Sequence, residues 1–537
     1  MPHVITQSCC ADASCVLACP VNCIHPAPGE PGFGTTEMLY VDPRSCVGCG
    51  ACVSACPVDA IKPLEQLSLT ELPFAALNAS YYDEAPHEGR TPMAKVGSQR
   101  RLIDPHRRVR AAVVGAGPAG MFTADELLKH PEVDAVDVFD RLPTPYGLAR
   151  AGVAPDHGRT KQVERLFAAI EQDPRLSYRL GIEVGRDVTD EELSHSYDVV
   201  VYTVGASADR SLGVPGEDLA GSTSATRFVA WYNGHPEASA PEGLDHSRVV
   251  VVGHGNVALD VARILARDPR ELTTSDISDD ALAALQRSAV REVVLLGRRG
   301  PAQAAFTVPE LIGLAGLDTV DVVVEAPAHL LEGDDPRTRL LAEMAARPPR
   351  EGARRIVLRF LSAPVGYTGT DRVTGVDIAL TRLVEDEGGT RAEATGQVEH
   401  LEAGLVLRSV GYRGEPVADL PFDPERGIVP NERGRVSPGR YVAGWIKRGP
   451  RGFIGTNRSC AAETVQSIID DLDAGVVPTQ GGTGADLEGL LADRGLAPID
   501  GTGWRRIDAA ERARGSARGA PRSKITDVRA LAEVARW

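Results

Sequence analysis

Arg110-Ala-Ala-Val-Val-Gly115-Ala-Gly117-Pro-Ala119-Gly120 reads as a short apolar strand, a glycine turn and the first turn of a helix, with the helix formers Met121 to Lys129 continuing it. The G-x-G-x-x-G spacing has a mechanical meaning. The first glycine makes the turn, the second lets a pyrophosphate come against the backbone, and the helix N-terminus stabilises its charge. Asp137-Val-Phe-Asp140 ends the next apolar run with an acid about 20 residues further on, where a ribose hydroxyl is hydrogen-bonded. A lone glycine motif would be weak; Asp140 is what turns a structural turn into a dinucleotide site.

The same texture returns at Arg248-Val-Val-Val-Val-Gly253-His254-Gly255-Asn256-Val257-Ala258, followed by a helix to Arg267. Here the later apolar run Glu292 to Leu296 is followed by Gly297-Arg298-Arg299-Gly300, with no acid at the strand end. An arginine pair in that position favours the 2′-phosphate of NADPH over NADH. Further apolar runs at 198–204 and 404–407 supply more strands. Two copies of one strand–turn–helix pattern in a chain of 537 residues predict two doubly wound α/β domains, with room for one or two further units.

Upstream the texture is different. Nine of the ten cysteines fall within the first 56 residues, and only Cys460 lies outside. Cys46-Val-Gly-Cys49-Gly-Ala-Cys52-Val-Ser-Ala-Cys56-Pro57 is a complete C-x2-C-x2-C-x3-C-P run, in which three thiolates bend around one cluster and the fourth reaches a second. A structural zinc site would instead want two well separated C-x2-C pairs. The earlier run Cys9-Cys10-Ala-Asp12-Ala-Ser-Cys15-Val-Leu-Ala-Cys19-Pro20 echoes it, with Cys9, Asp12 and Cys15 standing against Cys46, Cys49 and Cys52. Cys10 and Cys23 are surplus and read as buried free thiols.

This duplicated unit resembles the two-cluster bacterial ferredoxins. The resemblance implies crossed ligation: Cys46, Cys49, Cys52 and Cys19 hold one [4Fe–4S] cluster, while Cys9, Cys15 and Cys56 hold the other. Asp12 departs from the family pattern. Three thiolates suit a [3Fe–4S] cluster, and a carboxylate or water on a fourth iron would preserve a [4Fe–4S] form.

Residues from about 108 to 475 resemble the adrenodoxin reductase type of ferredoxin–NADP reductase. The matching stretches are Tyr146-Gly-Leu148-Ala-Arg-Ala-Gly-Val-Ala-Pro-Asp-His157, Asn256-Val-Ala-Leu-Asp-Val-Ala-Arg263, Gly297-Arg-Arg-Gly-Pro301 and Gly444-Trp445-Ile-Lys-Arg-Gly-Pro-Arg-Gly452. The whole chain is similar to the bacterial ferredoxin-fused members of that family. The resemblance implies that Ala119, Asp140, Leu148 and Val188 contact FAD beside Gly115, Gly117 and Gly120, with Trp445 and Gly452, Phe453 and Ile454 closing over the flavin. It implies NADP contacts from His254 to Val257, Arg298, Arg299 and Glu310, with Gly452 where nicotinamide meets flavin. It places the NADP domain as an insertion in the FAD domain.

The expected fold is therefore an α+β iron–sulfur ferredoxin domain followed by two Rossmann-like α/β domains, the NADP domain inserted in the FAD domain. The expected boundaries are a ferredoxin domain at 1–66, a linker at 67–107 rich in proline and glycine, FAD-binding segments at 108–206 and 408–477, an NADP-binding domain at 207–407, and a helical tail at 478–537 with no assigned chemistry. The expected activity is NADPH-dependent reduction of a ferredoxin or other one-electron acceptor protein, with no essential acid–base residue in hydride transfer. An NADPH-oxidising subunit similar to the small chain of glutamate synthase is the rival. Disulfide chemistry is disfavoured because no C-x-x-C lies beyond residue 56.

Composition sets outer limits. A net charge of −16 disfavours a nucleic-acid partner. No apolar run approaches the roughly 18 to 20 residues of a membrane span, and the first residues lack a basic segment followed by an apolar one, so a cytoplasmic location is expected. The arginine-rich run 505–522 reads as a solvated face.

Overall fold

The computed structural model describes residues 1–85, 102–386, 389–417, 419–477 and 484–536. The glycine-ended apolar runs become parallel strands. Val109–Val114 lies at the centre of a six-stranded sheet, between Val133–Asp140 and Val199–Tyr202, with Leu176–Leu180 beyond the former and Arg440–Val442 beyond the latter. Arg435–Ser437 closes that edge antiparallel. The second six-stranded sheet is wholly parallel, in the order Ser222–Ser224, Leu405–Arg408, Arg248–Val252, Glu292–Leu296, Arg354–Arg359, Val320–Glu325. Its central strands are Val/Leu runs buried on both faces, as helix-covered parallel strands must be.

All six strands of the second sheet lie in sequence between Val199–Tyr202 and Arg440–Val442, which are parallel neighbours in the first sheet. The chain leaves the first sheet, builds the second and returns. A three-stranded antiparallel sheet, Ser362–Thr368, Gly375–Asp386 and Gly389–Glu402, projects from the second unit. Its strands alternate weakly and much of the last is exposed, so no strand signal marks them in the sequence.

In the N-terminal unit, His3–Ile5 pairs with Ile61–Pro63 and Ile24–His25 with Tyr40–Val41, and the short helices Ser14–Ala18 and Ala51–Ala55 carry Cys15 and Cys52. Much of the stretch expected as linker is folded. Pro73–Glu84 is a helix that closes this unit. Asn78 on it accepts from the Ile5 and Val41 N–H groups (3.2 and 2.9 Å) and donates to the Ile5 carbonyl (2.9 Å), and the Tyr82 hydroxyl donates to the Cys23 and Tyr40 carbonyls. A buried asparagine that satisfies two strand edges is a tertiary device that composition does not reveal. Residues 86–101 of that stretch lie outside the described residues, and 102–107 already belong to the following unit: Leu102 is buried and Arg107 donates to the Leu472 carbonyl.

The C-terminal tail forms three helices, Gly484–Asp493, Gly501–Ser516 and Val528–Arg536. The arginine-rich run is not simply a solvated face. Arg522 is buried and pairs with Glu164, Asp508 and Glu511, while Glu511, fully buried, chelates Arg150 at 2.6 and 2.7 Å. Lys524 donates to the Arg150 carbonyl and pairs with Asp276 at 2.8 Å. Arg518 donates to the Ile277 carbonyl at 2.7 Å. The tail thus straps both doubly wound units together. Among the described residues no helix is long and apolar enough to cross a membrane.

Candidate functional site

The two glycine turns open into one cleft of about 1640 Å³. A single small-molecule site is typically about 300 to 1000 Å³, so this one has room for two dinucleotides end to end.

On the first side, Gly115 has φ +110°, and a Cβ there would stand 2.7 Å from the Thr203 carbonyl oxygen. A Cβ on Gly120 would lie 1.9 Å from the Gly115 oxygen, so the helix can approach its own turn only as glycine. Gly117 is different: its Cβ would meet only Gly147 Cα, at 3.8 Å, and its missing side chain leaves room at the cleft rather than avoiding a protein clash. Asp140 accepts from the Ala116 and Leu142 N–H groups at 2.8 and 2.9 Å, and burial pushes its carboxyl above the ordinary range. Leu148 is 38% exposed and lines the cleft. Val188 is fully buried behind it, and Val184, bridged to Val188, lines the cleft instead.

On the second side, a Cβ on Gly253 would meet the Ser409 oxygen at 2.2 Å, whereas one on Gly255 would meet nothing within 4 Å. The His254 ring donates to the Leu295 carbonyl at 3.0 Å and packs edge-on against Phe360; burial lowers it to about 4, so it is neutral. Its side chain is committed to the sheet, leaving its backbone to the turn. Asn256 accepts from the Thr307 N–H at 2.8 Å, and Val257 lines the cleft. Arg298 and Arg299 are exposed on the cleft wall, and among the described residues neither guanidinium pairs with a carboxylate.

The far wall comes from the returning chain. Gly444 (φ +76°) lies against Ala119, where a Cβ would stand 2.5 Å from the alanine methyl, and this brings Trp445 to the cleft beside Tyr412, with ring centroids 5.2 Å apart. Gly452, Phe453 and Ile454 also line it, and the Phe453 N–H donates to Thr456 Oγ1 at 3.0 Å.

A charged cluster that sequence reasoning missed sits at the junction. Arg263, buried, donates to Asp156 Oδ2, Asp260 Oδ1 and His157 Nε2, each at 2.6 Å, and reaches Glu310 at 3.5 Å. Burial pushes the Asp156 carboxyl up, but Arg263 and His157 outweigh it and hold it below its ordinary value. Although His157, Asp260 and Glu310 are spaced like metal ligands, Arg263 already supplies the cation. The quoted Tyr146–His157 and Asn256–Arg263 stretches contain most of this cluster, yet only tertiary structure brings them together.

The N-terminal unit is seated on this cleft. Cys9 and Cys10 line it; Gln7 donates to Glu310 Oε2 at 3.0 Å; the Gly455 N–H donates to the Cys10 carbonyl at 2.7 Å. A Cβ on Gly455 would collide with the Ala11 oxygen at 2.1 Å, so the contact is backbone on backbone. The cysteines fall into two groups. Cys19, Cys46, Cys49 and Cys52 surround one small cavity with Cys23, and Cys49 is exposed. Cys9, Cys15 and Cys56 form the second, close enough to perturb one another. Burial pushes the thiols of Cys9, Cys15, Cys52 and Cys56 up, Cys9 to about 12 and Cys52 to about 11, whereas the hydrogen bond with Cys23 lowers Cys19 to about 5. Thiols so placed become thiolates only when a cation compensates them, which suits iron ligation.

A nucleotide cleft made by two parallel sheets and faced by a cysteine-rich unit defines a flavoprotein class. Residues 109–295 match the pyridine nucleotide-disulphide oxidoreductase family and residues 39–62 the 4Fe-4S binding domain. The chain is 49% identical to a probable ferredoxin/ferredoxin–NADP reductase of Mycobacterium tuberculosis, over 98% of this chain and 94% of that one. It is 41% identical to the mitochondrial NADPH:adrenodoxin oxidoreductase of Arabidopsis thaliana, over 78% of this chain and 94% of that one. The solved structure of M. tuberculosis FprA in complex with NADPH matches with TM-score 0.77 and 44% identity, covering 80% of this chain and all of that one. The chain belongs to the ferredoxin-fused ferredoxin–NADP reductases, of the adrenodoxin reductase type.

Proposed function

We propose that this chain is an NADPH-dependent flavoprotein oxidoreductase that delivers electrons to iron–sulfur centres of its own ferredoxin unit, to a separate ferredoxin, or to both. The observation that carries the reading is the single cleft lined by both glycine turns and by Cys9 and Cys10. FAD, when bound, supplies the conversion of a hydride into single electrons, which iron–sulfur clusters require.

The residues divide this work. Gly115, Gly117, Ala119 and Gly120 form the pyrophosphate cradle for FAD, Asp140 takes its ribose, Leu148 and the chain around Val188 flank it, and Trp445 with Gly452, Phe453 and Ile454 cover it. Gly253, His254, Gly255, Asn256 and Val257 cradle NADP, while Arg298 and Arg299 hold its 2′-phosphate. Glu310 lies at the junction of the two sites. The sheet order supports an NADP domain inserted in the FAD domain, since Val199–Tyr202 and Arg440–Val442 are parallel neighbours with the second sheet between them in sequence.

In the ferredoxin unit, Cys19, Cys46, Cys49 and Cys52 hold a [4Fe–4S] cluster, and Cys9, Cys15 and Cys56 hold a second, in its three-iron or a labile four-iron form. Replacing Asp12 by cysteine then favours a stable four-iron centre. The experiment is an anaerobic NADPH titration followed by visible absorption and EPR. Flavin bleaching and reduced-cluster signals with NADPH are expected, and much weaker responses with NADH. Failure of NADPH to bleach the flavin would sink the reading.

A further inference from the structure

Asp12 stands at the Cys9/Cys15/Cys56 site. It lies between Cys9 and Cys15 in the chain, with its Oδ1 3.6 Å from the Cys10 sulfur. It is buried, 6% exposed, where an uncompensated carboxylate is costly. Yet the carboxylate is not idle. Oδ2 accepts from the Ser14 N–H at 3.3 Å and from the Ser14 hydroxyl, and Arg458 approaches the same oxygen at 3.8 Å. Among the described residues, Oδ1 receives only the weak Cys10 thiol donor, at 3.6 Å. Arg458 belongs to the helix Thr456–Asp473 on the reductase side. Its guanidinium also donates to the Asp12 carbonyl at 3.3 Å and to Ser14 Oγ at 3.2 Å, so one side chain grips the whole Asp12–Ser14 turn from across the interface.

We propose that Arg458 holds the Asp12 carboxylate back from the fourth corner of the Cys9/Cys15/Cys56 site, so that seating of the ferredoxin unit on the reductase sets the iron count of that site. The inference rests on the reading that these three cysteines hold a cluster. Arg458 is a positioning residue that acts through Asp12. Filling the corner is a ligand exchange. Starting from the reduced three-iron form, one hydrated ferrous ion would enter, exchanging its waters for three cluster sulfides and one oxygen of Asp12. The hydrogen bonds and ion pair at the carboxylate are given up, and no electron is gained or lost.

The test uses the full-length protein, reduced anaerobically with dithionite and titrated with ferrous iron, with EPR and iron analysis as readouts. The wild type is expected to keep a three-iron signal. Arg458→Met should take up the fourth iron at roughly tenfold lower ferrous concentration, the worth of one charge-assisted contact on a partly exposed guanidinium. Arg458→Lys should remain near wild type, and Asp12→Asn/Arg458→Met should behave like Asp12→Asn, which resists the fourth iron. Equal uptake by Arg458→Met and wild type would overturn the role of Arg458 while leaving the three-iron reading intact. A wild-type site already holding four irons would overturn both. Should Arg458→Met not fold, Asp12→Asn decides alone: uptake of iron as easily as wild type refutes a carboxylate held in reserve.

Discussion

The two glycine turns solve the same problem with different tolerances. At the first turn, position 120 must be glycine because the helix start lies on the carbonyl of Gly115, 1.9 Å from where a Cβ would be. At the second turn the equivalent place is Ala258, fully buried, whose methyl is accommodated. The first turn ends at an acid whose two oxygens are engaged by backbone N–H groups, the second at two exposed arginines with no carboxylate partner among the described residues. The first turn is braced by its own backbone, and the second presents exposed charge to the cleft. The tail adds to the asymmetry, since Glu511 and Lys524 grip Arg150 in the helix Gly147–Ala151, against the FAD cradle.

The sharpest break should come from Gly120→Ala. With backbone on one side and Thr203 on the other, overpacking costs about 3 kcal/mol or more, and the protein is expected to lose FAD, measured as flavin absorbance per protein after gel filtration. Ala258→Gly should cost only about 1 kcal/mol, the helix propensity difference; a similar flavin loss from both would erase the contrast.

Next in size is Glu511→Ala. It leaves Arg150 buried without its carboxylate and takes one of three from Arg522, a change that costs about 3 to 5 kcal/mol. Thermal unfolding should shift down and FAD release should speed up, with the NADPH dissociation constant nearly constant. A change confined to NADPH binding would show that the tail braces the other unit.

Arg298→Ala should weaken NADPH binding by about 1.5 to 3 kcal/mol, roughly ten- to 150-fold, the lower end being favoured by its exposure. NADH kinetics should be unchanged. Equal losses with both cofactors would mean that the arginine does not read the 2′-phosphate.

The smallest effect is a pH slope at the seat of the ferredoxin unit. Glu37 accepts from the Val308 N–H at 3.2 Å, and burial raises its carboxyl from 4.5 to about 7. A carboxyl raised on folding stabilises fully below 4.5 and loses that contribution as pH rises through about 7. Glu37→Gln should therefore flatten the fall in melting temperature across that window, an effect of up to about 2 kcal/mol after solvent screening. Parallel wild-type and variant curves would place the titration elsewhere.

Both turns were legible in the sequence because their constraint is local: the glycines, the acid and the arginines occur at spacings that the strand–turn–helix geometry enforces. The cysteine runs were legible for the same reason, down to the aspartate that breaks the pattern. What escaped was set by contacts distant in sequence. Asn78 is recognised as structural only once it meets Ile5 and Val41, the buried Arg522 only against Glu164 and Glu511, and Arg263 only with Asp156 and His157 around it. The prolines and glycines of 67–107, most of them between Pro86 and Pro105, made the whole stretch read as a linker, although a helix begins at Pro73, where proline suits a helix's first turn.

The backbone seat of Ala11 on Gly455 also bears on competition between carriers. A ferredoxin unit joined to the reductase in one chain faces its dock at an effective concentration on the order of millimolar. A second ferredoxin in solution, even with the same affinity, would have to approach that concentration to occupy the same place. A free carrier at lower abundance would have to meet the tethered unit elsewhere, and Cys49 and nearby Val47, 63% exposed, reach its surface.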